Sequence, residues 1–130
     1  MSFIPRILRR NAVPRKRGAA AEELAASHLR GQGLKILDRN YRIRGGEIDL
    51  IARDGDTLVF IEVRLRSRQD FGGAAESITP AKCRRIILAA QHYLAANIRG
   101  HHPPCRFDCV LLDALSKGSM QWIRNAFDVD

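Results

Sequence analysis

The sequence predicts an α/β domain: a mixed β-sheet flanked by helices. Three observations carry the prediction. Two helical apolar patterns lie near residues 19–30 and 80–97, and period-two strands run between them. Asp54-Gly55-Asp56 is a hairpin signal between two of those strands, and a further strand follows the second helix. The order αβββαβ(β) implies helices packed on a sheet with both strand directions. A length of 130 residues fits one domain.

The elements follow in order. Residues 1–17 hold Arg6, Arg9, Arg10, Arg15, Lys16 and Arg17, no acidic residue, and six of the eight net positive charges. This arm is expected to be disordered. It suits nucleic acid or an anionic membrane surface, and equally a solvated tail with no dedicated partner. Its arginines interrupt any secretory apolar run, and no segment approaches the ~18 apolar residues of a membrane helix. Cys83, Cys105 and Cys109 are an odd, sparse set that fits a reducing compartment. A cytoplasmic protein is expected.

Gly18 ends the arm, and a helix is predicted from Ala19 to Arg30, stopped by Gly31-Gln32-Gly33. Leu34–Ile43, Glu47–Arg53 and Thr57–Arg66 are predicted strands, with Gly45-Gly46 as the first turn. A polar loop runs from Arg68 to Thr79, and Pro80 opens a second helix to about Asn97. Arg106–Asp113 and Met120–Ile123 complete the strands.

The third strand carries the chemistry. Phe60, Glu62, Arg64 and Arg66 share one face, while Val59, Ile61, Val63 and Leu65 share the other and read as core. Charges flanking Val63 are costly to bury without partners, and a site would explain them. A turn at Asp54-Gly55 places Asp49 opposite Phe60, and a turn at Gly55-Asp56 places it opposite Glu62. Either way Asp49 and Glu62 share a face. Two such carboxylates repel unless a cation lies between them, and all-oxygen ligation suits Mg²⁺ or Mn²⁺. Glu22 shares a helical stripe with Ala25, Ala26 and Leu29 and leans toward the sheet; Glu23 leans toward water. An ion held by Asp49 and Glu62 would activate water against a phosphodiester, with Arg64 neutralising the phosphate. The plainer alternative is a surface network of Glu62 and Arg64 with Asp49 capping the hairpin.

The runs Gly45-Gly46-Glu47-Ile48-Asp49-Leu50-Ile51-Ala52 and Leu58-Val59-Phe60-Ile61-Glu62-Val63-Arg64 resemble the YraN-like family of uncharacterised bacterial proteins. Ala21-Glu22, Arg39-Asn40, Lys82, Arg106-Phe107-Asp108 and Asn125-Ala126-Phe127 match as well, so the resemblance covers residues 18–127. That family is similar to PD-(D/E)xK nucleases of the restriction-endonuclease-like fold, near archaeal Holliday-junction resolvases. The resemblance implies Asp49 and Glu62 as metal carboxylates, Val63 lending its backbone carbonyl, and Glu22 as an accessory acid. It also implies a DNA substrate and a homodimer.

Arg64 departs from the pattern, which has lysine there. Arginine stays protonated and cannot act as a base, although it can hold a phosphate bidentately. Lys82 lies on the stripe of Ile86, Ala89 and Tyr93 and is a candidate to replace the lysine. The simpler reading is an ordinary first-turn lysine over a carbonyl or phosphate. Arg39, Arg42, Arg44, Arg66 and Arg68 suit a phosphate backbone, or form a solvated basic face. Tyr41, Phe71 and Trp122 read as core before base-stacking groups. His101, His102, Cys105 and Cys109 match no standard zinc spacing, and the cysteines read as buried thiols. The leading expectation is a Mg²⁺- or Mn²⁺-dependent DNA endonuclease or resolvase-like enzyme. The rivals are a nucleic-acid-binding protein that lost the catalytic lysine and a membrane-surface adaptor acting through the arm.

Overall fold

The computed structural model describes residues 12–65, 78–113, 118 and 120–129, with residues 12–17 as backbone only. The elements are α1 (Ala12–Gly31), β1 (Lys35–Ile43), β2 (Gly46–Asp54), β3 (Thr57–Leu65), α2 (Pro80–Asn97), β4 (Cys105–Leu112) and β5 (Met120–Ile123). The mixed α/β architecture is the expected one. Arg66, Arg68 and Phe71 lie outside the described residues.

One boundary needs correction. The first helix begins at Ala12 rather than Ala19, so residues 12–17 of the basic arm are helical. Pro14 costs nothing there, because the first-turn N–H groups have no intrahelical acceptor anyway. Gly18 weakens a helix by about 1 kcal/mol relative to alanine, which the following run of alanines offsets. The C-terminal stop is as expected: Leu34 N–H reaches back to the Leu29 carbonyl over 3.0 Å, and Gly33 takes φ 98°. Helix α2 is capped by Thr79, whose hydroxyl accepts from the Lys82 backbone N–H at 3.1 Å. No described helix is long and apolar enough to cross a membrane.

The sheet order is β1-β2-β3-β4-β5. Only β3 and β4 pair in parallel; the other neighbours are antiparallel. Helix α1 covers one face through Ala21, Ala25 and Leu29 against Leu50, Ala52, Val59, Ile61 and Val110. Helix α2 covers the other through Ile86, Ala89 and Tyr93 against Ile48, Ile51, Phe60 and Phe107. Asp54 pairs with Thr57, so Gly55 and Asp56 form the turn, with Gly55 at φ 62°. This is the register that, carried onward, brings Asp49 opposite Glu62.

Two irregularities shape the end of the sheet. The β2–β3 ladder ends at Leu50↔Ile61. The side-chain alternation of β2 also slips there: Ile48 and Ile51 both face α2, whereas Leu50 and Ala52 face α1. Beside this point α2 crosses β2 at Gly46. A methyl group at Gly46 would collide with the Arg85 carbonyl oxygen and come within 3.1 Å of the Ala89 nitrogen.

A second polar centre ties β4 to its neighbours. Asp108 is 0% exposed. Its Oδ1 accepts from Arg106 Nε at 2.9 Å and from the Asn125 backbone N–H at 2.9 Å. Its Oδ2 accepts from Arg106 Nη2 at 3.1 Å and Trp122 Nε1 at 3.0 Å. Arg106 Nη2 also reaches Asp54 Oδ2 at 3.2 Å. Every acceptor direction of the buried carboxylate is used. Cys109 is buried as expected, but Cys105, the first residue of β4, is exposed.

Two outcomes follow for stability. Gly46→Ala should destabilise the fold by about 1–3 kcal/mol, because backbone atoms of α2 must move. Asp108→Ala should destabilise the fold by about 1–3 kcal/mol, because Trp122 Nε1 and the Asn125 N–H lose their acceptor while Arg106 keeps Asp54. Urea unfolding at neutral pH checks both, and native-like stability in either variant would contradict the packing described.

Candidate active site

The Asp49 side chain stands where the β2–β3 ladder has ended. Its Oδ2 accepts the Val63 backbone N–H at 2.8 Å, a donor that a continuing ladder would have given to β2. Glu62 is only 6% exposed. Its Oε2 accepts from Lys82 Nζ at 2.7 Å, across from β3 to the first turn of α2. The simpler reading of Lys82 as an ordinary first-turn lysine is therefore corrected. Helical phase showed that Lys82 faces the sheet; only the close crossing at Gly46 gives it the reach.

Burial pushes the Asp49 carboxyl well above the usual carboxylate range, and the Glu62 charge pushes it further. The Val63 N–H works against this, and Glu22 adds a weaker push upward. Cys109 lies directly across the β3–β4 ladder from Glu62. Its thiol is pushed up to about 12, by burial first and then by the Glu62 and Asp49 charges, so it stays protonated.

Glu22 approaches from α1 and is half-buried, while Glu23 is exposed and ion-paired to Arg39 at 2.7 Å and Arg30 at 3.3 Å. This matches the helical phase read from the sequence. Burial raises the Glu22 carboxyl, against the polar Asn40 side chain and the charges of Arg42 and Arg39, which lower it. Arg64 is half-buried, and its Nε is buried without a hydrogen-bond partner among the described residues. The expected basic cluster is partly neutralised: Arg39 is bound to Glu23, and Arg42 lies 3.7 Å from Glu47. Arg44 is exposed. Tyr41 packs edge-on against Tyr93 at 5.2 Å between ring centroids, as expected of a core-facing ring.

Two further residues join the site without having been singled out. Glu47 and Arg85 line a cavity of about 20 Å³ together with Glu62, Lys82 and Ile86. A space of that size holds about one water molecule. Glu47 lies two residues from Asp49, but its separate contribution had no signal beyond that spacing.

Among the described residues no group of three or more His, Cys, Asp or Glu is placed to hold a metal ion. The available donors are two carboxylates, Asp49 and Glu62, and the neighbouring main chain. Mg²⁺ commonly takes one or two carboxylates and keeps several waters, so the donor set fits it. The crowding of Asp49 by Glu62 and Glu22 is the physical reason a cation would be welcome there.

A family model described as "Uncharacterised protein family UPF0102" matches residues 21–112. A UPF0102 protein of Dechloromonas aromatica is 58% identical over 114 residues, covering 88% of this chain and 90% of that protein. One from Cupriavidus taiwanensis is 59% identical over 115 residues, covering 88% and 84%. A third, from Nitrosomonas europaea, is 54% identical over 114 residues, covering 86% and 93%.

Asp49→Asn keeps an acceptor for Val63 and removes the crowded charge. Without divalent ions it should raise the melting temperature at pH 7. The raised folded-state value means the natural carboxyl costs stability when ionised and loses that cost as pH falls and it protonates. The gain should therefore fade from neutral pH toward pH ~4. Paired thermal melts at both pH values check this, and a gain that grows on acidification would refute the crowding.

Proposed function

The chain belongs to the uncharacterised protein family UPF0102, the family its motifs resemble, and we propose that it is a metal-dependent phosphodiester hydrolase acting on DNA. The observation that carries the reading is the Lys82 ammonium 2.7 Å from Glu62 Oε2, with Asp49 beside it. A lysine, a buried glutamate and an aspartate gathered at a strand end are the parts such a hydrolase needs. Here the lysine comes from a helix rather than from position 64.

Asp49 and Glu62 would hold Mg²⁺ or Mn²⁺, with the Val63 carbonyl as a further ligand and Glu22 assisting. The ion, when bound, supplies Lewis acidity for the phosphate and a more acidic bound water. The remaining work falls to side chains. Lys82 has three N–H donors and spends one on Glu62, leaving two for a water or a phosphate oxygen. Arg64 holds a phosphate without exchanging its proton. Arg44 offers a cation to the backbone of the nucleic acid, where Arg39 and Arg42 must first loosen their carboxylate pairs.

A second reading rests on Arg64 itself: a nucleic-acid-binding protein that retains the fold without cleavage. Lys82 weighs against it, because it supplies an amine where arginine cannot serve.

Labelled branched and linear DNA, incubated with Mn²⁺ or Mg²⁺, separates the two. Cleavage is expected from the natural protein, and Asp49→Ala should abolish it. Lys82→Met should lower it by about 10²–10⁴-fold, the usual contribution of a positioned proton-handling group. Arg64→Lys should change it only a few-fold. Intact DNA with every protein, together with salt-sensitive binding, would establish the second reading instead.

A further inference from the structure

The small cavity beside Glu62 is lined by Glu47, Glu62, Lys82 and Arg85, two acids and two bases. Three of these charges are already matched. Lys82 Nζ lies 2.7 Å from Glu62 Oε2, and Glu47 has Arg42 at 3.7 Å. Arg85 is exposed and has no carboxylate partner among the described residues. Its main chain is held at the site, because its carbonyl oxygen lies against Gly46.

Two more cations stand around it. Arg84 precedes it on α2 and is exposed. Arg44 is exposed on the turn between β1 and β2, and that turn touches α2: a methyl group at Gly45 would come within 3.3 Å of Leu88 Cδ2. Leu88 follows Arg84 and Arg85 by one helical turn, so the three arginines gather around it. Neither Arg44 nor Arg84 has a carboxylate partner among the described residues. Helix α2 offers none, since Pro80–Asn97 contains no acidic residue. The β1 side of the site differs, because Arg39 and Arg42 are both paired there. Unmatched positive charge therefore lies on the α2 side. Neighbouring arginines repel each other in the free protein, and a chain of phosphates relieves that repulsion while accepting each guanidinium bidentately.

We propose that Arg44, Arg84 and Arg85 form the surface on which the nucleic-acid backbone lies, with Arg85 holding a phosphate next to Glu62 and Lys82. This assignment rests on reading the chain as one that acts on DNA, and it brings the DNA in over α2 rather than over β1.

Cations attract DNA wherever they stand, so the test needs a matched pair elsewhere. Lys35 and Arg53 are exposed, lie opposite each other in the β1–β2 ladder, and stand about 23 Å along β2 from Gly46. Binding of the full chain to fluorescently labelled duplex DNA is followed by anisotropy in EDTA, over a range of salt. Arg84→Ala with Arg85→Ala should weaken binding about 10²-fold at 0.1 M salt and lower the salt slope by about two, roughly one counterion for each lost phosphate contact. Arg44→Ala should weaken it about tenfold. Arg85→Lys should keep the slope and bind a few-fold more weakly, because an ammonium cannot fork onto a phosphate. Lys35→Ala with Arg53→Ala should change affinity by less than about threefold, being more than a Debye length away. All variants should melt close to the natural protein, since these side chains are exposed.

Equal losses in the two double variants, or an unchanged salt slope in Arg84→Ala with Arg85→Ala, would overturn this surface while leaving the hydrolase reading in place. Binding lost only in the α2 variants of a protein that never cleaves DNA would uphold the surface and overturn the hydrolase reading. Absence of DNA binding by the natural protein would overturn both.

Discussion

The Val63 N–H bonds the Asp49 carboxylate, and the arrangement of the polar end of the sheet depends on that contact. A β ladder normally satisfies its own donors, so strands separate only where something else accepts the freed hydrogen bonds. Here an aspartate side chain does so. It allows β2 to leave β3 after Leu50↔Ile61 while β2 stays paired with β1 through Gly46. Beside it Glu62 of the central strand meets Lys82 of α2, and the Glu22 charge on α1 adds to the crowding. A stabilising contact has thereby brought together carboxylates that destabilise one another.

The cation that relieves part of this repulsion comes from α2, and its position rests on a glycine. The absent side chain at Gly46 lets the helix backbone at Arg85 and Ala89 lie against the start of β2. A helix held farther off would leave the Lys82 ammonium short of Glu62. Backbone packing and site chemistry are therefore coupled here.

Much of this was legible in the sequence. The element order, the Gly55-Asp56 alternative for the turn and the inward lean of Glu22 over Glu23 all follow from periodicity, which reports direction. Periodicity does not report distance. Helical phase turns Lys82 toward the sheet, but its contact with Glu62 depends on how closely two backbones approach at Gly46. The start of α1 lies before Gly18, because one glycine does not stop an alanine-rich helix. The left-handed backbone of Asn40 is not legible, because a single residue at positive φ within a polar strand leaves no periodic trace. Arg106 and Asp108, opposite charges two apart in an apolar strand, carried a signal for a buried pair. Their partners, Trp122 in β5 and Asn125 just after it, lie 14 and 17 residues from Asp108 in sequence.

The cysteines of β4 have a practical consequence. Cys105 lies open at the start of the strand, while Cys109, four residues on, is sealed beneath Glu62 with a thiol that resists ionisation. An alkylating reagent meets the first at once. It meets the second only when the sheet parts next to the carboxylates, since both access and thiolate formation are denied while the strands stay closed. The strand thus contains its own clock. Modification of Cys105 measures the reagent, and the lag before Cys109 reacts measures how often the protein opens at the place where its charges are gathered.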